Sequence, residues 1–200
     1  MLAAGGARRF GGEKLLAQLP DGTPIVTAAA RNLMSGLDRA VAVVRPGETE
    51  LSRLLVQEGL EIAVCINARR GMGTSLAFGV NHARDADGWI VALADMPHIQ
   101  SQTIIALARS IAAGASLAVP YFAGQRGHPV AFGKKYLDDL LQLDGDEGAR
   151  KLLMRDSRGL VRVEMNDPGI LYDIDTPEQL SRHRTVLQGS DPPTFLHEID

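Results

Sequence analysis

Short apolar runs, each followed by a segment of helical spacing, recur along this chain, and that alternation limits the possible folds more than any other feature. Ala40 to Val44 is such a run, closed by Pro46-Gly47. Thr49 to Glu58 then shows helical spacing at Leu51, Leu54 and Leu55, and Leu60 to Ile66 is the next buried run. Gly73-Thr74-Ser75 opens a helix to Ala83, with Thr74 or Ser75 as its cap. Trp89 to Ala94 reads as a strand and Ser101 to Ala113 as a helix. Nearly continuous apolar strands joined by short connections imply an α/β fold, a mainly parallel sheet with helices on both faces. After Leu117 to Tyr121 the pattern changes. Phe122 to Phe132 carries Gly-Gln-Arg-Gly-His-Pro between two apolar stretches and predicts a small antiparallel excursion. Lys134 to Leu143 and Gly145 to Met154 have helical spacing, Leu160 to Met165 alternates as a strand, and Thr176-Pro177 predicts a capped helix to about Arg184.

The amino-terminal stretch Leu2 to Lys14 is of another kind. It sets Gly5, Gly6, Gly11 and Gly12 among the cations Arg8, Arg9 and Lys14, directly after the apolar start Met1 to Ala4. Glycines allow positive φ and let backbone N–H groups approach an anion, so the stretch suits a phosphate; a surface hairpin is the plain alternative. Two familiar phosphate loops do not fit. Lys14 lies between Glu13 and Leu15, which breaks the Gly-Lys-Ser/Thr pattern, and no spacing of the four glycines gives G-x-G-x-x-G. The strand in front of the loop is shorter than a typical buried strand, as expected of one incomplete at its start or begun at an incorrectly chosen methionine. Pro20-Asp21-Gly22 predicts a turn, and Thr23-Pro24 an N-cap and first helical residue for a helix to about Leu37.

Composition narrows the function classes. With 200 residues, 45% hydrophobic and 22% charged, the chain has the size and balance of one globular domain, placed at 1–187 with a tail at 188–200. A net charge of -3 argues against general binding to nucleic acid or a membrane surface. The lone Cys65 sits in an apolar run and reads as a core residue. No apolar stretch is long enough to span a bilayer and no secretory signal is visible, so a cytoplasmic location is the expectation.

In an open parallel sheet, ligands bind beyond the carboxyl ends of the strands. Three loops qualify: the glycine stretch, Asn67 to Thr74, and the turn that begins at Asp95. Asp95 follows Val91 to Ala94 directly and reads either as a cap for the turn before Pro97 or as an oxygen ligand for Mg²⁺. Asp173 and Asp175 point the same way if their segment is extended, which makes this segment the second carboxylate candidate, the plain alternative being that Asp175 only precedes a helix cap. Gly71 and Gly73 flank Met72 and would let backbone lie against a flat base or ribose. Arg126 and His128 put a cation and an imidazole in a loop, where an incidental surface role is the alternative. Asp146 and Arg150 are spaced to pair across one helical turn.

These residues, in order, resemble the MobA-like nucleotidyltransferase family, and within it the molybdenum cofactor cytidylyltransferases. The matching segments are Leu2-Ala3-Ala4-Gly5 with Arg9, Gly11 and Lys14; Gly71-Met72-Gly73-Thr74-Ser75-Leu76; Ala94-Asp95-Met96-Pro97; Arg126-Gly127-His128-Pro129-Val130; Gly145 to Arg150; and Asp173-Ile174-Asp175-Thr176-Pro177. The resemblance implies a three-layer, Rossmann-like nucleotidyltransferase fold and transfer of CMP from CTP to the phosphate of molybdopterin, releasing pyrophosphate. It further implies Lys14, Arg9 and Asp95 as catalytic residues, and Mg²⁺ on Asp95 and Asp175. Leu2, Ala3, Ala4, Gly5, Gly6, Lys14, Gly71, Met72 and Ser75 would bind the nucleotide, and His128, Asp146 and Arg150 the acceptor. A molybdenum hydroxylase or its maturation factor is the implied protein partner. Ala4 favours CTP over GTP, since guanylyltransferase-like members have glycine there. Ala7 and Phe10 depart from the usual serine and methionine. The alternatives are a guanylyltransferase, a cytidylyltransferase for a sugar or isoprenoid phosphate, and a non-catalytic cofactor carrier.

Overall fold

A computed structural model describes residues 1–6, 10, 13–156 and 159–186, the last five of these by backbone alone. Strands β1 (Val41–Val44), β2 (Glu61–Val64) and β3 (Gly88–Val91) alternate with helices α1 (Ile25–Met34), α2 (Thr49–Gln57), α3 (Met72–His82) and α4 (Ser101–Ala112). Beyond them come β4 (Leu117–Phe122), β5 (Gln125–Arg126), β6 (Val130–Gly133), α5 (Leu137–Leu141), α6 (Arg150–Arg155), β7 (Leu160–Glu164) and α7 (Pro177–Val186).

β1 pairs with β2 in parallel, and β3, β6 and β4 form a second ladder with β7 parallel on β4. The amino terminus joins the two. Leu2 bridges Val43 on one side and Leu93 on the other, both in parallel, through Ala3 N–H to Val43 O at 2.9 Å and Leu2 N–H to Ala92 O at 2.8 Å. The short first strand is thus an inner member of the sheet. The antiparallel excursion is also placed differently from a marginal hairpin: β6 runs against both β3 and β4 and lies between them. A tight return makes this possible, because Ala123 (φ 49) and Gly124 (φ 77) reverse the chain within two residues and an antiparallel neighbour needs no crossover. The fold is therefore a mixed α/β sheet.

Several helix starts differ from the sequence reading. Pro24 itself occupies the cap of α1, while Thr23 N–H donates to Asp21 Oδ1 at 2.9 Å. Gly71, not Thr74 or Ser75, stands at the cap of α3, whose first residue is Met72. The helix expected from Gly145 starts only at Arg150, because Gly145 takes φ 62 and its carbonyl accepts the Gly73 N–H at 2.8 Å. The cap of α7 forms as expected, with a partner the sequence reading overlooked. Thr176 Oγ1 accepts from Gln179 N–H at 3.2 Å, and Gln179 Oε1 accepts from Asp175 and Thr176 N–H at 2.6 and 2.9 Å, a reciprocal capping box.

Side-chain alternation explains how the core is shared. Ala42 and Val44 pack with Val26, Leu33 and Leu55, whereas Val43 joins Ala4, Cys65 and Ala68 and lies against Gly79 of α3. Beyond β3, Trp89, Leu117, Phe132, Tyr136 and Leu140 form another buried cluster, with the Phe132 and Tyr136 rings edge to face at 5.5 Å. Cys65 is buried and Trp89 Nε1 donates to Ala83 O at 3.0 Å, so both serve packing. Among the described residues no helix is long and apolar enough to cross a membrane.

One buried carboxylate fastens the site's supports together. Asp167 accepts from Gln100 N–H at 2.8 Å and Thr103 Oγ1 at 2.6 Å on one oxygen, and from Gly169 N–H at 3.0 Å on the other. It holds the start of α4 against the turn Pro168–Leu171, where a Cβ on Gly169 would collide with the His98 backbone.

Candidate active site

The N-terminal segment, β1, β2 and β3 all end at one edge of the sheet, and β6, running the other way, begins there. That edge receives Gly5 and Gly6 from the first segment, Asp95 from the turn after β3, and His128 from the residues before β6. The segment after β7 returns to it, as Ile174 N–H donates to Asp95 O at 3.0 Å. A short 3₁₀ turn, Lys14–Leu16, completes the group.

At its centre Lys14 Nζ donates to Asp95 Oδ2 at 2.8 Å and to Asp175 Oδ1 at 2.9 Å. Burial would lower the Lys14 pKa, but the hydrogen bonds and charges of the two carboxylates prevail and raise it above its usual value. Lys14 is therefore an ammonium throughout the neutral range. Asp95 does not cap the turn before Pro97; its carboxylate faces the lysine, and Oδ1 is buried with no hydrogen-bond partner among the described residues. Asp173 is held close by. Burial, then the charges of Asp175 and Asp95, push its pKa up against an opposing pull from Lys14.

His128 N–H donates to Ile170 O at 2.9 Å, and its Nδ1 is buried without a hydrogen-bond partner among the described residues. Burial and the charge of Arg126 lower its pKa against an opposing pull from Asp95, which favours neutral imidazole. It is not an incidental surface group. Leu2 is partly buried and Ala3 and Ala4 are buried, and the N–H groups of Leu2 and Ala3 are already donated to Ala92 O and Val43 O in the sheet. Gly5 is exposed, lacks a positive φ and has open space where a Cβ would stand. The glycine there leaves room and relieves no strain. Arg9, like Ala7, Arg8, Gly11 and Gly12, lies outside the described residues, as does the tail at 188–200.

The second glycine loop is clamped to the loop before α6. Gly71 takes φ 135, and a Cβ on it would strike the Asp146 carboxylate and the Gly145 carbonyl. Thr74 Oγ1 donates to Asp144 Oδ1 at 2.6 Å and accepts from Gly145 N–H at 3.1 Å, while Arg70 pairs with Asp144. Met72 is half exposed with its sulfur against Gly148, whereas Ser75 is buried and its hydroxyl donates back to Gly71 O at 3.3 Å. The nucleotide and acceptor candidates thus meet through Gly71 and Asp146. Among the described residues no ion pair joins Asp146 to Arg150: Asp146 lies over Gly71 and Arg150 stands exposed at the start of α6. Thr74 and Asp144 were not singled out as a pair by the sequence reading, because 70 positions separate them and nothing local marks the contact.

No group of three or more His, Cys, Asp or Glu side chains shaped for a metal occurs among the described residues. The fit of a divalent ion rests on the spare Asp95 Oδ1 with Asp175 beside it. One or two carboxylates is the number Mg²⁺ takes when substrate phosphates supply the remaining ligands.

An ammonium set among strand-end carboxylates, behind a glycine-rich strand exit on an α/β sheet, is an arrangement suited to phosphate groups. A family model described as the MobA-like NTP transferase domain matches residues 1–160, and the chain belongs to that family. It is 34% identical to the purine catabolism protein PucB of Bacillus subtilis (strain 168), over 93% of this chain and 95% of that protein. It is 29% identical to nicotine blue oxidoreductase of Paenarthrobacter nicotinovorans, over 91% and 93%. The fold matches the crystal structure of Rv0371c from Mycobacterium tuberculosis H37Rv in complex with manganese with a TM-score of 0.73, at 23% identity and over 90% and 93% of the two chains.

Proposed function

We propose that this nucleotidyltransferase moves CMP from CTP to the terminal phosphate of molybdopterin, releasing pyrophosphate, and acts in the cytoplasm on behalf of a molybdenum hydroxylase. The carrying observation is Lys14, whose ammonium is held at 2.8 and 2.9 Å by Asp95 and Asp175. The name of PucB, a purine catabolism protein, supports a hydroxylase acting on purines as the destination. The packing of Val43 and of Ala42 and Val44 with different helices supports a three-layer sheet.

In this reading the backbone at Ala4, Gly5 and Gly6 receives the triphosphate, and Lys14 turns from the carboxylates to the oxygens on which charge develops. Asp95 and Asp175 would hold Mg²⁺, which supplies charge neutralisation and orientation of the phosphate oxygens. The loop at Gly71 and Met72 lies beside the base. His128, as neutral imidazole, and Arg150, as a cation, face the anionic acceptor, and Arg9 joins Lys14 around the phosphates. The acceptor's oxygen is already anionic, so the residues need only position it in line.

The test is pyrophosphate release from CTP, GTP and ATP with molybdopterin and Mg²⁺. CTP should be turned over fastest. Equal rates with all three would sink the base assignment. Turnover with a sugar or isoprenoid phosphate but not with molybdopterin would replace the acceptor, and tight molybdopterin binding without metal-dependent CTP affinity would make the chain a carrier.

A further inference from the structure

The loop 144–149, between α5 and α6, has little hold of its own: none of its residues is fully buried. Among the described residues, the hydrogen bonds and ion pairs that tie it to a distant part of the chain run to Arg70, Gly73 and Thr74. The Thr74 hydroxyl makes two of them, donating to Asp144 Oδ1 at 2.6 Å and accepting from Gly145 N–H at 3.1 Å. Gly73 N–H donates to Gly145 O at 2.8 Å, which gives a first-turn donor of α3 its acceptor. No side chain at the start of α3 caps it, so the loop caps it from outside.

Both glycines of Gly71-Met72-Gly73 answer to this loop. A Cβ on Gly71 would come within 2.3 Å of Asp146 Oδ1, and one on Gly73 within 2.9 Å of Asp144 O. Between them the Met72 side chain is half exposed, with its sulfur against Gly148. Displacing either segment breaks hydrogen bonds of the other. The two therefore share one order–disorder equilibrium, and a ligand that orders either orders both.

We propose that Thr74 is a positioning residue that couples the two substrate subsites: nucleotide seated against Gly71 and Met72 orders the loop 144–149, and with it Asp146 and Arg150 on the acceptor side. This coupling rests on the nucleotide lying at Gly71 and Met72 and the acceptor at Asp146 and Arg150, as in the proposed reaction. Coupling is reciprocal, so the acceptor tightens nucleotide binding by the same factor, about tenfold.

The test is amide exchange at Gly145 to Ala149, read by mass spectrometry with and without Mg²⁺ and each of CTP, GTP, UTP and ATP, at concentrations that saturate each variant. Thermal shift identifies which nucleotide binds. In the unaltered chain the bound nucleotide should slow exchange in the loop by at least about tenfold. Thr74→Val keeps the side chain's shape and removes both hydrogen bonds, so the slowing should disappear, and Thr74→Ser should restore it. If Thr74→Val does not fold, Asp144→Ala removes the hydroxyl's acceptor from the loop side and should lose the slowing in the same way. A clamp with a merely structural role would exchange alike with and without nucleotide, and that result overturns the coupling. Undiminished slowing in Thr74→Val also overturns it, since the nucleotide would then touch the loop directly. Slowing by a nucleotide other than CTP supports the coupling and overturns the base assignment alone. No thermal shift with any of the four overturns the nucleotide's placement, and the coupling with it.

Discussion

Lys14 shows how much one side chain can carry. It pairs with two carboxylates before any substrate arrives, and in the proposed reaction it stabilises developing phosphate charge instead. Lys14→Ala should lower kcat/KM for CTP by on the order of 3 kcal/mol, comparable to losing one oxyanion donor, and an unchanged value in steady-state assays would remove Lys14 from the reaction. A second titratable group gives a pH dependence. Burial lowers the Met1 amine from 8.0 to about 5. Between those values the unfolded chain holds a proton that the folded chain has released, so stability rises with pH from about 5 to about 8. The gain is on the order of 4 kcal/mol if the full shift is realised. Melting curves across that range should show the rise, and N-terminal acetylation should flatten it.

Loops and turns place these side chains. Gly71 combines φ 135 with contact against Asp146 and Gly145, so no side chain fits without moving the neighbouring loop. Gly71→Ala should cost about 1–3 kcal/mol in denaturant unfolding and raise KM for CTP more than it lowers kcat. Equal stability and KM would show that the loop tolerates a side chain. Asp167 acts through the elements it joins. Its replacement by alanine leaves the N–H groups of Gln100 and Gly169 and the Thr103 hydroxyl without their acceptor. A loss of about 3 kcal/mol follows, or roughly 6–12 °C in melting temperature for a chain of this size, with Asp167→Asn milder. The glycines of the Gly71 loop were legible in the sequence because glycine clusters are conspicuous. Asp146 was legible as a candidate too, but its contact with Gly71, and that of Asp144 with Thr74, was not, since only the folded chain brings the two loops together.

For the molecule as a whole, ligand binding should register as stability. CTP with Mg²⁺ at about 100 times its dissociation constant should stabilise the protein by about 2.7 kcal/mol, and thermal melting should show a larger shift than with GTP or without metal. Hydrophobic periodicity made most helices and strands readable in order, because burial on one face or on both leaves a period in the chain itself. Asp95 and Asp175 could be singled out for a related reason, as acids placed directly after or beside apolar runs. Periodicity carries no information about which strands become neighbours. That β6 lies between β3 and β4, and that Leu2 joins two ladders, was decided by tertiary pairing. The same holds for Lys14, 81 positions from Asp95 and 161 from Asp175. Alone, the amino-acid sequence determined which residue types were available for phosphate and metal chemistry; only the fold, by bringing distant charges within hydrogen-bond distance in partly dehydrated surroundings, decided that they form one site.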